Sequence, residues 1–132
     1  MRDFEEGHIA AGVFGDIDIE AHKEWTERVC SLVSMESYEP LWQKERAYLL
    51  EALVSLGFKA TIVSLKNGVL DKSFLGKTLD RDTIKEITHT GIDPSGENGE
   101  YHTVVTDGPI FSCPIKVNLR EPALKNGYWF LA

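Results

Sequence analysis

The sequence predicts an α/β chain, on three observations. Short β-type runs alternate with helix-period segments through the first half; those segments begin after acids or end at glycine; and the last third is dense in turn pairs. Strand, helix, strand, helix, strand at this spacing requires right-handed crossovers and a parallel sheet with helices packed on it. The turn-rich remainder reads as a small antiparallel β extension. Residues 1–132 are expected to form a single domain, parallel over 1–68, with a loop, a short helix and β-hairpins over 69–132.

Taken in order, His8 to Phe14 is short, mostly apolar and stops at Gly15, as a buried strand and turn would. Asp16 or Asp18 can then cap a helix in which Ala21, Trp25, Val29 and Val33 recur every four residues between Lys23, Glu24 and Glu27. A second strand is expected over Glu36 to Leu41. Gln43 to Leu56 carries Leu49, Leu50, Leu53, Val54 and Leu56 at helical spacing and stops at Gly57, a good residue just past a helix end. Phe58 to Leu65 is a third strand, rich in Ile, Val and Thr and closed by Asn67-Gly68. Leu70 to Ile87 reads as a loop plus a short acid-capped helix. Asn98-Gly99, Asp107-Gly108-Pro109 and Asn126-Gly127 then punctuate strands at Tyr101 to Thr106, Ile110 to Val117 and Tyr128 to Leu131.

Composition narrows the function. The 21 acids against 14 bases leave a net charge of -7, which opposes attraction to phosphate backbones or anionic lipid. The bases are scattered rather than gathered in a stripe, so neither nucleic acid nor a membrane is expected as a partner. No apolar run reaches the roughly 18 residues of a spanning helix, and the opening MRDFEEGHIAAG has acids where a signal peptide has a basic head. A cytoplasmic protein is the expectation. Cys30 and Cys113 stand far apart with no His or Cys at ligand spacing, which predicts two buried free thiols, no disulfide and no metal site.

In open α/β sheets ligands gather beyond the carboxyl ends of the strands, which singles out Gly15-Asp16, Leu41-Trp42 and Lys66-Asn67-Gly68. Gly91 to Thr103 is the segment richest in reactive groups, with Asp93, Glu97, Glu100 and His102 close together. Alternation along a strand puts Glu100 and His102 on one face, while Gly96 and Gly99 let the backbone around Glu97 turn tightly. Carboxylates and an imidazole in one pocket could hold Mg²⁺, orient an amine or move a proton. The other reading is a hairpin turning at Asn98-Gly99 with its acids in solvent.

The stretch GIDPSGENGEYHTVVTDGPIF resembles the signature of the diphthine–ammonia ligase family, the N-type ATP pyrophosphatases of the PP-loop superfamily. Residues 96 to 103 and 107 to 109 fit its Gly-Glu-(Gly or Asn)-Gly-Glu-(Tyr or Phe)-(His or Glu)-Thr and Asp-Gly-Pro pattern without a gap. Gly12 to Ile17, Arg28 to Cys30, Pro40-Leu41-Trp42 and Leu70 to Lys77 resemble further blocks in the same order. Asn98 and His102 are similar to the bacterial-type branch.

The resemblance implies a partial Rossmann-like, adenine nucleotide alpha hydrolase-like sheet and a ligase in which ATP adenylates a carboxylate that ammonia converts to an amide. It implies ATP and Mg as cofactors, ammonia and a carboxylate acceptor as substrates, and catalytic roles for Glu97, Glu100 and His102. Gly96, Asn98, Gly99, Thr103 and Trp42 would bind substrate, and Gly15, Asp16 and Arg28 would lie by the nucleotide. Each has a plainer alternative: a turn and cap for Gly15 and Asp16, a surface ion pair for Arg28, a packed aromatic for Trp42. The family's Ser-Gly-Gly-Lys-Asp-Ser phosphate loop has no counterpart here, since no Gly-Gly-Lys occurs. Two expectations follow. One is an acceptor-side portion of the ligase, inactive alone and served by an N-terminal half bearing that loop. The other is a non-catalytic module that self-associates or binds a small molecule. A homo-oligomer is expected in either case, because an apolar strand with open hydrogen-bonding groups pairs unless covered.

Overall fold

The computed structural model describes residues 9–118 and 120–131. His8, placed at the start of the first strand from sequence, lies outside the described residues. The chain divides into two compact units, one up to Arg46 and one from Ala47 onward.

The first unit is a parallel β–α–β. Strand β1 (Ala11–Val13) pairs in parallel with β2 (Glu36–Tyr38), Gly12 opposite Ser37, and helix α1 (Glu20–Ser31) makes the connection. The cap position before helix α1 is taken by Ile19, which supplies no side-chain cap, contrary to the expectation for Asp16 or Asp18. Both carboxylates are engaged elsewhere: Asp16 lies 3.1 Å from His22 Nδ1, and Asp18 accepts from Arg46 at 2.7 Å. The buried face of α1 is also one residue round from the expected one. Thr26 and Cys30 are buried, whereas Trp25 is 51% exposed. An i, i+4 apolar row marks a stripe, but the polar Thr26 takes the central place because its hydroxyl finds a partner, 2.7 Å away in the Glu39 carboxylate.

The second unit begins one residue into helix α2 (Arg46–Ser55), which passes through Leu56 to Gly57 at φ 82 and into β3 (Lys59–Lys66). The third strand does not extend the parallel sheet. It is the centre of a second, antiparallel sheet of order β4-β3-β6-β5, with β4 (Tyr101–Asp107), β5 (Pro122–Lys125) and β6 (Tyr128–Leu131). Its physical signature is one-sided burial. Ala60, Ile62 and Leu65 are at most 1% exposed, while Thr61, Val63 and Ser64 between them are half-buried. Antiparallel sheets tolerate such two-sidedness and parallel ones rarely do. The α/β class holds, as a parallel pair with helices followed by an antiparallel part.

Two expected details change in that part. Ile110 to Val117 forms no strand; Ile115 N–H reaches the Thr106 carbonyl at 2.8 Å, but Pro109 and Pro114 remove the donors a ladder needs. Cys113, in this segment, is accordingly exposed, and Cys30 alone of the two thiols is buried. The Asn126-Gly127 turn does close a hairpin, with φ 52 and 81 as a type I′ turn requires. Its first strand is Pro122–Lys125, which has no β-branched residue to announce it.

The core of this unit gathers Ile62, Leu65, Phe74, Leu79, Ile87 and Tyr101. Phe74 comes from a 3₁₀ turn (Lys72–Phe74) capped by Asp71, and Ile87 from α3 (Arg81–His89). Helix α3 is the acid-capped helix the sequence predicts: Asp80 accepts from the Thr83 amide at 2.8 Å. That bond, more than any other cause, lowers the Asp80 pKa below its ordinary value. Asp80→Ala should cost about 0.5–2 kcal/mol at neutral pH, by chemical denaturation. A folded-state pKa below the unfolded one stabilises above the ordinary Asp range of about 4 and is lost as pH falls through the lower folded value. The gap between wild type and variant should therefore be constant from pH 8 to 5 and close in stronger acid; a gap that widened on acidification would contradict the assignment. Among the described residues no helix is long and apolar enough to cross a membrane.

Candidate functional site

Three strand ends converge where β3 finishes. Leu65 lies between Tyr101 of β4 and Trp129 of β6, Ser64 between His102 and Phe130, and Lys66 opposite Tyr128. The Lys66 amide donates to the Glu100 carbonyl at 2.8 Å and the Asn67 amide to the Gly127 carbonyl at 2.9 Å. Directly opposed residues share a face, so Tyr101, Leu65 and Trp129 turn toward the core. Ser64, His102 and Phe130 occupy the other side. Tyr101 is 4% exposed, His102 is exposed and Glu100 half-buried.

The segment before β4 is a chain of turns, not the first arm of a hairpin. Asp93 accepts from Ser95 Oγ at 2.6 Å and from the Ser95 amide at 3.0 Å. The Gly96 amide donates to the Asp93 carbonyl and the Gly99 amide to the Gly96 carbonyl, at 3.2 and 3.1 Å. Gly96 is required twice over. Its φ is 70, and a Cβ there would stand 3.0 Å from the Tyr101 ring. The Tyr101 hydroxyl donates to the Pro94 carbonyl, closing the loop over that ring. Glu100 is not simply solvated. Its two oxygens accept from Asn98, from the backbone amide at 3.0 Å and from Nδ2 at 3.2 Å.

The electrostatic result shows at Tyr101. Burial first, then the charges of Asp93, Glu100 and Glu97, push its hydroxyl well above the ordinary tyrosine range, so it stays a neutral donor. The loop thus brings the carboxylates of Glu97 and Glu100 near a rigid aromatic post, while the His102 imidazole lies on the other side of the sheet. A carboxylate held by neutral donors can accept a proton or orient an ammonium-type nitrogen. Thr103 pairs with Ile62 across the ladder and is half-buried. Tyr101 and Tyr128 are the parts of this arrangement that sequence reasoning did not single out. The signal for Tyr101 was present, since a tyrosine between Glu100 and His102 on a one-sided strand must face the core.

The remaining candidates lie on the first unit. Gly15 is exposed, with open space where a Cβ would be. Asp16 faces His22, which the sequence does not bring forward as a partner. Arg28 is exposed in the last turn of α1. Trp42 is half-buried beneath the Lys23 ammonium, 4.9 Å from its ring centre. This unit also holds an unforeseen polar cluster. Ser37 and Thr26 both donate to Glu39, Ser37 foremost, and hold its carboxyl below the usual range. Among the described residues no three His, Cys, Asp or Glu side chains converge to hold a metal ion.

Fold and candidate site together describe an α/β chain whose turn-borne carboxylates, and the imidazole beyond them, lie at one end of an antiparallel sheet. Residues 44–132 match the family described as diphthamide synthase C-terminal domain, and the chain belongs to that family. It is 34% identical over 98 residues to a diphthine–ammonia ligase of Schizosaccharomyces pombe, covering 72% of this chain and 16% of the relative. The human diphthine–ammonia ligase is 33% identical over 99 residues, 72% of this chain and 37% of its own. That of Danio rerio is 27% identical over 124 residues, 91% of this chain and 49% of the relative. The chain thus spans about half or less of these relatives.

Proposed function

We propose that this chain is the acceptor side of an ATP-dependent amide ligase of the bacterial-type branch, within the PP-loop superfamily. The observation that carries the reading is the Gly96 to Thr103 loop, in which Glu100 is braced by Asn98 beside an exposed His102. In the reaction a carboxylate oxygen of the acceptor attacks the α-phosphorus of ATP and pyrophosphate leaves. Ammonia then attacks the acyl carbon, AMP leaves, and the nitrogen sheds a proton. Glu100, Glu97 and His102 orient the ammonia and take that proton; Gly96, Asn98, Gly99 and Thr103 bind the substrate. On the first unit, Gly15, Asp16 and Arg28 serve the nucleotide and Trp42 the substrate.

ATP, with its Mg²⁺, is held by an N-terminal half that carries the phosphate loop, so this chain is inactive alone. Exposed apolar residues on the parallel pair support the need for a partner. In the first unit, β1 and β2 form a two-stranded parallel sheet on which Val13 is 70% and Tyr38 60% exposed. Parallel strands normally sit in larger sheets covered on both faces. Self-association completes the assembly, in the cytoplasm. The test is to mix the chain with a separately expressed polypeptide bearing the Ser-Gly-Gly-Lys-Asp-Ser loop, and to follow ATP, ammonium chloride and carboxylate acceptors, diphthine-bearing elongation factor among them. AMP and pyrophosphate should form only when both polypeptides are present. A flat result across nucleotides and acceptors would overturn the reading.

A further inference from the structure

Strand β6 reaches the candidate site through Tyr128. Its backbone pairs with Lys66, whose own amide holds the Glu100 carbonyl, so one residue of β3 ties β6 to the start of β4. On the face opposite Tyr101, the Tyr128 hydroxyl donates to the Gly99 carbonyl at 3.4 Å. Its ring lies 6.2 Å from the His102 imidazole, the planes inclined by 37°. Gly99, at φ 78, leaves that hydroxyl in ordinary contact with where a Cβ would be, 3.7 Å away. The loop is therefore held from two sides, by Tyr101 at Pro94 and by Tyr128 at Gly99.

We infer that Tyr128 is a positioning residue of this site: it fixes the peptide between Gly99 and Glu100 and confines His102 to one side. The inference rests on reading Glu97 to His102 as the acceptor side. That peptide links the turn to the carboxylate. If the Gly99 carbonyl swings away, the Glu100 side chain moves with it and its bonds to Asn98 loosen. An exposed histidine has several rotamers of similar energy, and an aromatic ring beside it removes some of them. Small displacements of this kind matter, because a shift of about 1 Å can cost on the order of a hundredfold in rate.

Tyr128→Phe keeps the ring and deletes the hydroxyl, and Tyr128→Ala removes both. In the complete chain, amide hydrogen exchange at Asn98 and Gly99 should rise by about two- to threefold in Tyr128→Phe, the effect of losing one long, weak hydrogen bond. The core amides of β3 should be unaffected. In the reaction reconstituted with the phosphate-loop polypeptide and diphthine-bearing elongation factor, KM for ammonium chloride should rise while KM for ATP stays the same. Unchanged exchange at Asn98 and Gly99 overturns the inference. So does a loss of protection spread evenly over β3, β4 and β6, or a selective rise without a change in KM for ammonium. If wild type makes no AMP, the functional reading falls, and exchange at the two amides alone then decides the role of Tyr128.

Discussion

Leu65→Ala should lower the free energy of unfolding by about 2–5 kcal/mol, the usual range for deleting a fully buried leucine. Leu65 is 0% exposed and sits between Tyr101 and Trp129, on the sheet row that carries the candidate loop. The neighbours cannot collapse into the gap, because both are rings pinned by their own bonds: Tyr101 to Pro94, and Trp129 Nε1 to Asn67 at 2.9 Å. A loss of this size is a large share of the roughly 5–15 kcal/mol that a domain possesses. Guanidinium unfolding should show a lower midpoint at unchanged slope. Ile62→Val, on the same buried face, is the milder companion and should cost about 0.5–1.5 kcal/mol. A Leu65→Ala loss under 1 kcal/mol would mean the row is not the centre of the core.

In the reconstituted reaction, Glu100→Gln should reduce kcat by about a hundred- to ten-thousandfold, the range for removing a positioned proton acceptor. The substitution is nearly isosteric. The glutamine carbonyl can keep one of the two Asn98 bonds while its NH2 faces the other donor, so part of the bracing is lost and only a small fall in melting temperature is expected. Activity and stability are thereby separated. A kcat within threefold of wild type would remove Glu100 from the chemistry and leave it as a turn brace.

Much of the fold was legible locally because its causes are local. Glycine after a helical run, Asp80 before one, and Asn126-Gly127 between β-type residues each solve a backbone problem within a few residues. Asp16 and Asp18 misled for the same reason: an acid before a helix is a potential cap, and only three-dimensional neighbours show that His22 and Arg46 engage them instead. Ile110 to Val117 had β-type composition, yet two prolines outweighed it. Of the candidate site, Gly96, Glu97, Asn98, Gly99, Glu100, His102 and Thr103 were visible as a motif, whereas Tyr128 comes from a strand whose pairing no local pattern specifies.

The sequence by itself determined the α/β class, the positions of most elements and the loop that belongs to the diphthamide synthase C-terminal family. Tertiary structure alone decided that β3 leaves the parallel pair for an antiparallel sheet. It also decided that Tyr101 is the buried post of the loop, and that β6 closes it through Tyr128. The physical reason is the range of the forces. Turn and capping preferences act within a few residues, whereas strand direction and partner are set by burying Ile62, Leu65 and Tyr101 together, and that requires residues far apart in the chain to meet.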